Sequence, residues 1–407
     1  MIHKSLLLSI LLLIISCKTE KPKSVSISED LYFLASDSLG GRQTGTPYES
    51  KAAAYIMNRM KAMGLQPKGT PTSYYQTFSF KPKTDPHGEV QYTSGDSTIT
   101  GTNVIGYIDN KASNTIIIGA HYDHLGMGGE GSLYREGRAI HNGADDNASG
   151  VALLLKLADT LKNTNTHNNY LFMAFSGEEM GLLGSNYFVK HPTIELTKVS
   201  YMLNMDMVGR LREDKTLSVS GTGTSPLWKQ VLHTANEDFK LVLQESGVGP
   251  SDHTSFYLQD IPVLHFFTGQ HEDYHKPSDD ADKINYEGMQ LIANYMYSVI
   301  SALDKNEKLS FRKTKNESEE VPRFKVGLGV VPDYLFDGKG MRIDGVSEDK
   351  PAQKAGLQKG DIVVQLGDSL VVDMMSYMRA LSSFEAGNTT RAIIDRKGEK
   401  IEVTISF

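Results

Sequence analysis

Cysteine is almost missing from this chain. Cys17 is the only one among 407 residues, so no internal disulfide can form, and any metal site must be built without a cluster of thiolates. An excess of positive charge is missing too. The net charge is −7, and a mildly acidic chain lacks the basic face that nucleic-acid phosphates require. No apolar run is long enough to cross a bilayer as a helix. The candidate at 6–15, interrupted only by Ser9, falls short of the span required. What remains is a chain of ordinary apolar content, long enough for two domains and a full core.

The short apolar run has a different meaning. Lys4 precedes it and Ile14-Ile15-Ser16-Cys17 closes it, which is the shape of a secretory signal. The last four residues resemble the lipobox of bacterial lipoproteins. That resemblance implies a signal peptide at 1–16, cleavage before Cys17, and a lipidated tether at 17–24. The folded protein is then expected outside the cytoplasm, in the bacterial cell envelope, held to a membrane by lipid on Cys17.

The pattern that follows predicts an α/β domain at 25–304. Helical spacing appears in Leu31, Leu34 and Ala35 and returns at 50–63, broken by S-L-G-G-R-Q-T-G-T-P around Arg42. The segment 74–107 reads as β-rich and is too short to hold an inserted domain. From Thr115 strands and helices alternate: strands at 116–120, 170–176, 199–205, 217–220 and 261–267, helices at 148–161, 181–189, 226–239 and 286–303. Continuously apolar strands between helices mean a mixed, mostly parallel sheet sandwiched by helices. Residues 305–322 have the composition of a linker. A small β-rich domain is expected at 323–407, with strands at 325–330, 340–346, 361–366, 390–395 and 401–407.

The chemistry collects at strand ends. His121 and Asp123 follow the first of these strands, and Asp145 and Asp146 precede the helix after it. Glu178 and Glu179 follow 170–176, Asp206 ends 199–205, and His275 follows 261–267. In an open α/β sheet that edge is where ligands bind. Carboxylates crowded there repel one another unless a cation sits among them. Imidazole and carboxylate without thiolate suits zinc, and the number of donors suits two ions sharing one carboxylate. Asp123 lies two residues from His121 on the same strand face, so it reads as the acceptor that orients that imidazole. Glu178 and Glu179 diverge as neighbours in extended chain; one can ligate while the other stays free as a general base.

G-A-H-Y-D-H, G-A-D-D-N-A-S-G, S-G-E-E-M-G-L-L-G-S, N-M-D-M-V-G and the later Tyr-His pair resemble the co-catalytic zinc aminopeptidases. Their family also holds glutamate carboxypeptidases and glutaminyl cyclases. The early D-S-L-G-G-R-Q-T-G-T and the S-D-H-T-S-F at Ser251 fit it as well. The resemblance implies a zinc exopeptidase fold with two zinc ions per chain. His121 and Asp206 would hold one, Glu179 and His275 the other, with Asp146 bridging. Glu178 would be the general base acting on a zinc-bridged water, and Tyr274 would stabilise the oxyanion. Asp145, His124 and His141 would be supporting residues, and Asp252 and His253 would shape the pocket. The expected reaction is removal of amino-terminal residues from peptides. A single-zinc glutaminyl cyclase or a carboxypeptidase or dipeptidase on the same fold remains the alternative, as does an inert anchored binding protein.

In the last domain, V-G-L-G-V at 326–330 and P-A-Q-K-A-G-L-Q-K-G-D-I-V-V-Q-L-G-D at 351–368 resemble the PDZ domains of bacterial periplasmic proteases. That resemblance implies a loop whose amides cradle the C-terminus of a peptide partner.

Overall fold

The computed structural model describes residues 25–82, 91–129, 131–314, 325–333, 336, 338–347 and 349–407. The signal peptide, the tether at 17–24 and the second half of the expected linker lie outside them. Among the described residues, no helix is long and apolar enough to cross a membrane.

The chain opens with α1 (Ile27–Leu34), a tight turn over Asp37–Arg42, and α2 (Pro47–Ala62). The Thr46 hydroxyl accepts from the Glu49 amide and Pro47 fills the first turn, so α2 starts where the sequence supplies a cap and a residue needing no amide partner. Strands β1 (Gln66–Pro67), β2 (Tyr75–Phe80), β3 (Ile99–Ile108) and β4 (Thr115–His121) follow. After β4 a wide turn at Ala144–Ser149 leads into α3 (Gly150–Leu161). Then come β5 (Asn169–Phe175), α4 (Leu183–Lys190), β6 (Val199–Met205), β7 (Thr216–Ser220), α5 (Trp228–Thr234), β8 (Lys240–Leu243), α6 (His253–Tyr257), β9 (Val263–Phe267) and α7 (Tyr286–Leu303).

The sheet runs β1-β3-β5-β4-β6-β9-β7-β8, with β2 also on β3. Its centre, β5-β4-β6-β9, is parallel throughout. The flanks turn antiparallel where β3 meets β5 and β7 meets β9. Both faces are covered. Ile116 and Ile118 join a core with Leu31 of α1, Leu155 of α3 and Met296 of α7, whereas Ile117 joins one with Phe188 of α4 and Phe256 of α6. Each fully buried isoleucine contributes roughly 2–3 kcal/mol, which is why β4 is apolar on both sides. The helix expected at 226–239 is shorter than its pattern, and the residues after it form β8, an edge strand that the sequence reading leaves out.

The second domain is an antiparallel sheet with its own core. It comprises β10 (Val330–Pro332), β11 (Met341–Val346), α8 (Pro351–Lys354), β12 (Ile362–Leu366), β13 (Ser369–Leu370), α9 (Met374–Ser382), β14 (Thr389–Arg396) and β15 (Glu399–Ser406). The first strand, expected at 325–330, begins only at Val330. Gly329 takes φ +78 and turns the chain before pairing starts. The expected linker is not free over its described half. Leu309 is buried, its amide donates to Ser200 Oγ, Phe311 packs on Tyr257, and Thr314 donates to the Tyr257 hydroxyl. Arg212, from the loop between β6 and β7, reaches the second domain and pairs with Asp333 at 3.4 Å and Asp344 at 3.2 Å.

Gly119 lies on β4 two residues before His121. A Cβ there would come within 2.5 Å of the Phe175 ring and 2.9 Å of the Met202 methyl. Gly119→Val is expected to destabilise the domain by about 1–3 kcal/mol through overpacking, despite valine's preference for strands. Urea denaturation measures it, and an unchanged midpoint would contradict the packing described.

Candidate metal centre

Parallel strands align their carboxyl ends, and four neighbours do so here. β4 ends in His121, whose register partner on β5 is Phe175. Three and four residues beyond Phe175 come Glu178 and Glu179. β6 delivers Asp206, and the loop after β9 delivers Tyr274 and His275. Asp146 arrives from the wide turn between β4 and α3, and the Asp146–Asn147 peptide bond is cis. All these side chains meet at one edge of the sheet.

Asp146 stands between two groups. Its Oδ1 is 3.4 Å from His121 Nε2, and its Oδ2 is 3.2 Å from His275 Nε2. On one side His121 Nε2 also lies 3.3 Å from Asp206 and 4.0 Å from Glu178. On the other, His275 Nε2 is 3.4 Å from Glu179. The donor atoms of His121, Glu178 and Asp206 lie within 4.8 Å of one another, as do those of His124, Asp146 and Glu179.

The imidazoles are aimed by their other nitrogens. His275 Nδ1 donates to the Gly131 carbonyl at 2.8 Å and His121 Nδ1 to the Asp123 carbonyl at 3.2 Å, so each turns Nε2 toward the carboxylates. Asp123 reaches His121 through its main-chain carbonyl; its carboxylate stands farther off, at 3.7 Å. That carboxylate instead accepts from the Thr44 hydroxyl and the Glu178 amide, which fixes the Glu178 backbone. His275 sits at φ 54, a left-handed conformation unusual for a side-chain-bearing residue and typical of functional loops.

Protons stand in where cations belong. Burial alone would lower the His121 imidazole, yet Glu178, Asp206, Asp123 and Asp146 raise it well above its ordinary range. His275, also opposed by burial, is raised to about 11 by Asp146 and Glu179. Glu179, despite burial and its neighbour Asp146, is lowered to about 2 by His124 and His275. Glu178 goes the other way. Burial, with Asp206, Glu179 and Asp252 beside it, raises it well above the carboxylate range against the pull of His121. Four carboxylates (Asp146, Glu178, Glu179 and Asp206) face these rings. Their formal charge equals that of two divalent cations, and the donors are all nitrogen and oxygen. The residues fit zinc-like ions.

A supporting layer holds the donors. Asp145 accepts from the Gly209 amide and pairs with His271 at 3.1 Å. His124 donates to Glu179 at 2.7 Å, nearer than His275 comes. His141 hydrogen-bonds Ser132 and the Ala139 carbonyl in the adjoining loop. Tyr274 stacks on His275 at 3.8 Å; burial, then Asp146 and Glu179, keep its phenol protonated. Asp252 and His253 are fully buried, the former raised to about 7 by burial against the pull of His121. Two supports escape the sequence reading. Asp279 Oδ2 accepts from the amides of both Asp145 and Asp146. The sequence shows a second acid pair, Asp279-Asp280, after His275, but nothing in it points to these partners. Arg42 is no simple turn residue: its buried guanidinium donates to the carbonyls of Leu34, Tyr122, Asn142 and Gly143.

Fold and donor set define the class: an α/β protein with a paired imidazole–carboxylate metal centre at the carboxyl edge of its sheet. Residues 103–300 match the model of Peptidase family M28, and residues 309–407 that of the PDZ domain. The first stretch is thus similar to peptidase family M28 and the second to PDZ domains. It is 33% identical over 190 residues to the alkaline phosphatase isozyme conversion protein of Escherichia coli, covering 45% of this chain and 51% of that protein. It is 29% identical over 222 residues to aminopeptidase YwaD of Bacillus subtilis, covering 51% of this chain and 46% of that one. The chain thus spans about half the length of the curated relatives it matches. Among solved structures, a zinc aminopeptidase from Bacillus subtilis shares the fold at TM-score 0.53 and 18% identity, over 72% of this chain and 99% of that one. A glutaminyl cyclase from Bacteroides thetaiotaomicron does so at TM-score 0.53 and 18% identity, over 70% and 99%.

His275 carries a proton in the metal-free chain up to pH of about 11, far above its ordinary range. The stability this pair supplies is therefore full below about pH 6.5 and is lost as pH rises toward 11. A metal must displace that proton. Zinc uptake is expected to release at least one proton and to weaken about tenfold per pH unit of acidification for each proton released. Calorimetry in buffers of different ionisation enthalpy reads the proton count, and a count of zero would contradict the protonated site.

Proposed function

We propose that this chain is a zinc-dependent aminopeptidase of the bacterial cell envelope. The observation that carries the reading is Asp146, with one carboxylate oxygen turned to each of two donor groups and Glu178 beside the first. His121 and Asp206 would hold one zinc ion and Glu179 and His275 the other, with Asp146 shared. Such a pair supplies Lewis acidity that polarises a peptide carbonyl and eases deprotonation of water.

The chain's own residues do the rest. Glu178, buried beside His121, takes a proton from the attacking water as its oxygen adds to the scissile carbonyl carbon. It returns that proton to the amine nitrogen as the carbon–nitrogen bond breaks. The Tyr274 hydroxyl, kept protonated, donates to the carbonyl oxygen as charge develops there. Asp123 fixes both His121 and the Glu178 backbone. Amino-terminal cleavage is favoured over cyclisation or carboxyl-terminal cleavage by the relatives, among them a Bacillus aminopeptidase and fungal proteins described as leucine aminopeptidases. The lipobox-like Ile14-Ile15-Ser16-Cys17 supports lipid attachment at Cys17, and the G-L-G-V at 327–330 supports a peptide C-terminus as the PDZ ligand.

Metal analysis should find two zinc equivalents per chain, with aminoacyl hydrolysis lost on chelation and restored by zinc. A metal-free chain that hydrolyses aminoacyl substrates would overturn the reading, and preference for cyclising amino-terminal glutamine would replace it with the cyclase. Glu178→Gln should keep its zinc while kcat falls by about 10²–10⁴-fold. Turnover near wild type in that variant would remove Glu178 as the base.

A further inference from the structure

The two domains enclose a cleft of about 680 Å³. One wall belongs to the first domain and is built from residues next in the chain, or hydrogen-bonded, to His275. Lys276 and Pro277 in that wall follow His275 in the chain. Leu133, also in it, donates its amide to the His275 carbonyl, two residues after the carbonyl that accepts from His275 Nδ1. The opposite wall is the β10–β11 face of the PDZ domain, with Val331, Gly345 and Val346.

We propose that this cleft receives the downstream segment of an extended peptide whose amino terminus sits at the metal centre, so that the PDZ domain forms one wall of the substrate site. The inference rests on the aminopeptidase reading and names its substrate class: oligopeptides rather than dipeptides or aminoacyl amides. Three observations commit the cleft to that occupant. It adjoins the His275 side of the metal centre, where a chain leaving that centre would run. Its size lies within the range of sites that enclose molecules larger than one residue. Its lining mixes apolar side chains with both signs of charge, Arg135 and Lys276 against Glu136 and Glu272, which suits a peptide of varied sequence and not a polyanion.

The wall is held rather than merely near. Arg212, on the segment that continues from Asp206, pairs with Asp333 and Asp344, whose side chains are 2% and 11% exposed. Asp333 is also gripped by Arg342, and Asp344 by Lys359 at 3.2 Å. Removing Arg212 from these largely buried carboxylates would free the wall to move.

The test compares kcat/KM for a hexapeptide and for the dipeptide sharing its first two residues, on the zinc-loaded full chain. The hexapeptide is expected to be favoured at least about tenfold, because remote binding energy is realised in turnover. Gly345→Trp should bring that ratio toward one. A Cβ at Gly345 meets only the Val331 side chain, at 3.4 Å, so the indole would project into the cleft without straining the strand. Arg212→Glu, which repels Asp333 and Asp344, should lower the ratio by a separate route, so that misfolding of one variant does not decide the matter. A wild-type ratio near one overturns the proposal, as does a ratio unchanged in both variants while their melting temperatures match wild type. A wild-type chain that cleaves neither peptide overturns the aminopeptidase reading, and this inference with it.

Discussion

Like-charge crowding is the constraint on which this structure depends. Four carboxylates and two imidazoles are brought to one edge of the sheet, most of them nearly removed from water. Nothing in the local sequence would hold them together, because each carboxylate raises the cost of ionising the next. The fold supplies that restraint from outside. β4, β5, β6 and β9 are parallel neighbours with apolar faces packed on both sides, so their ends cannot splay. Asp279 and Arg42 bind the main chain of the loops rather than the donors themselves. Stability built in the core is thereby spent on holding an unfavourable electrostatic arrangement, one that a bound cation would relieve.

The same constraint explains the division of protons. Asp146 is held well below the carboxylate range by His121 and His275 in spite of its burial, whereas Glu178 is pushed well above it. Two acids from one edge thus end in opposite states because one lies between imidazoles and the other among carboxylates. That difference separates a residue suited to sharing cations from one suited to carrying a proton.

The motifs were legible because their chemistry coincides with a local boundary. His121, Glu178, Glu179, Asp206 and His275 each follow an apolar strand, and a strand end is visible in the chain itself. The supports were not legible, because their partners are distant in sequence. Asp279 binds amides 133 and 134 residues away, and Arg42 reaches carbonyls 80 to 101 residues away. Asp123 shows the limit of a face argument. The strand places it beside His121, but which of its atoms makes the contact depends on Thr44 and the Glu178 amide. The antiparallel flanks and β8 were hidden for another reason. Edge strands are short and half-buried, and β8 alternates too weakly to announce itself.

The second domain extends the argument from holding a site to shaping access to it. A metal centre at the carboxyl edge of a sheet is bounded by loops, and loops alone make a soft wall. The second domain is a sheet with its own core, joined to the first by the pairs of Arg212 with two largely buried carboxylates and by 305–314, whose Leu309 and Phe311 pack on the first domain. Arg212 lies six residues after Asp206 on one continuous segment. The segment that carries Asp206 to the sheet edge is therefore also the one that reaches the second domain.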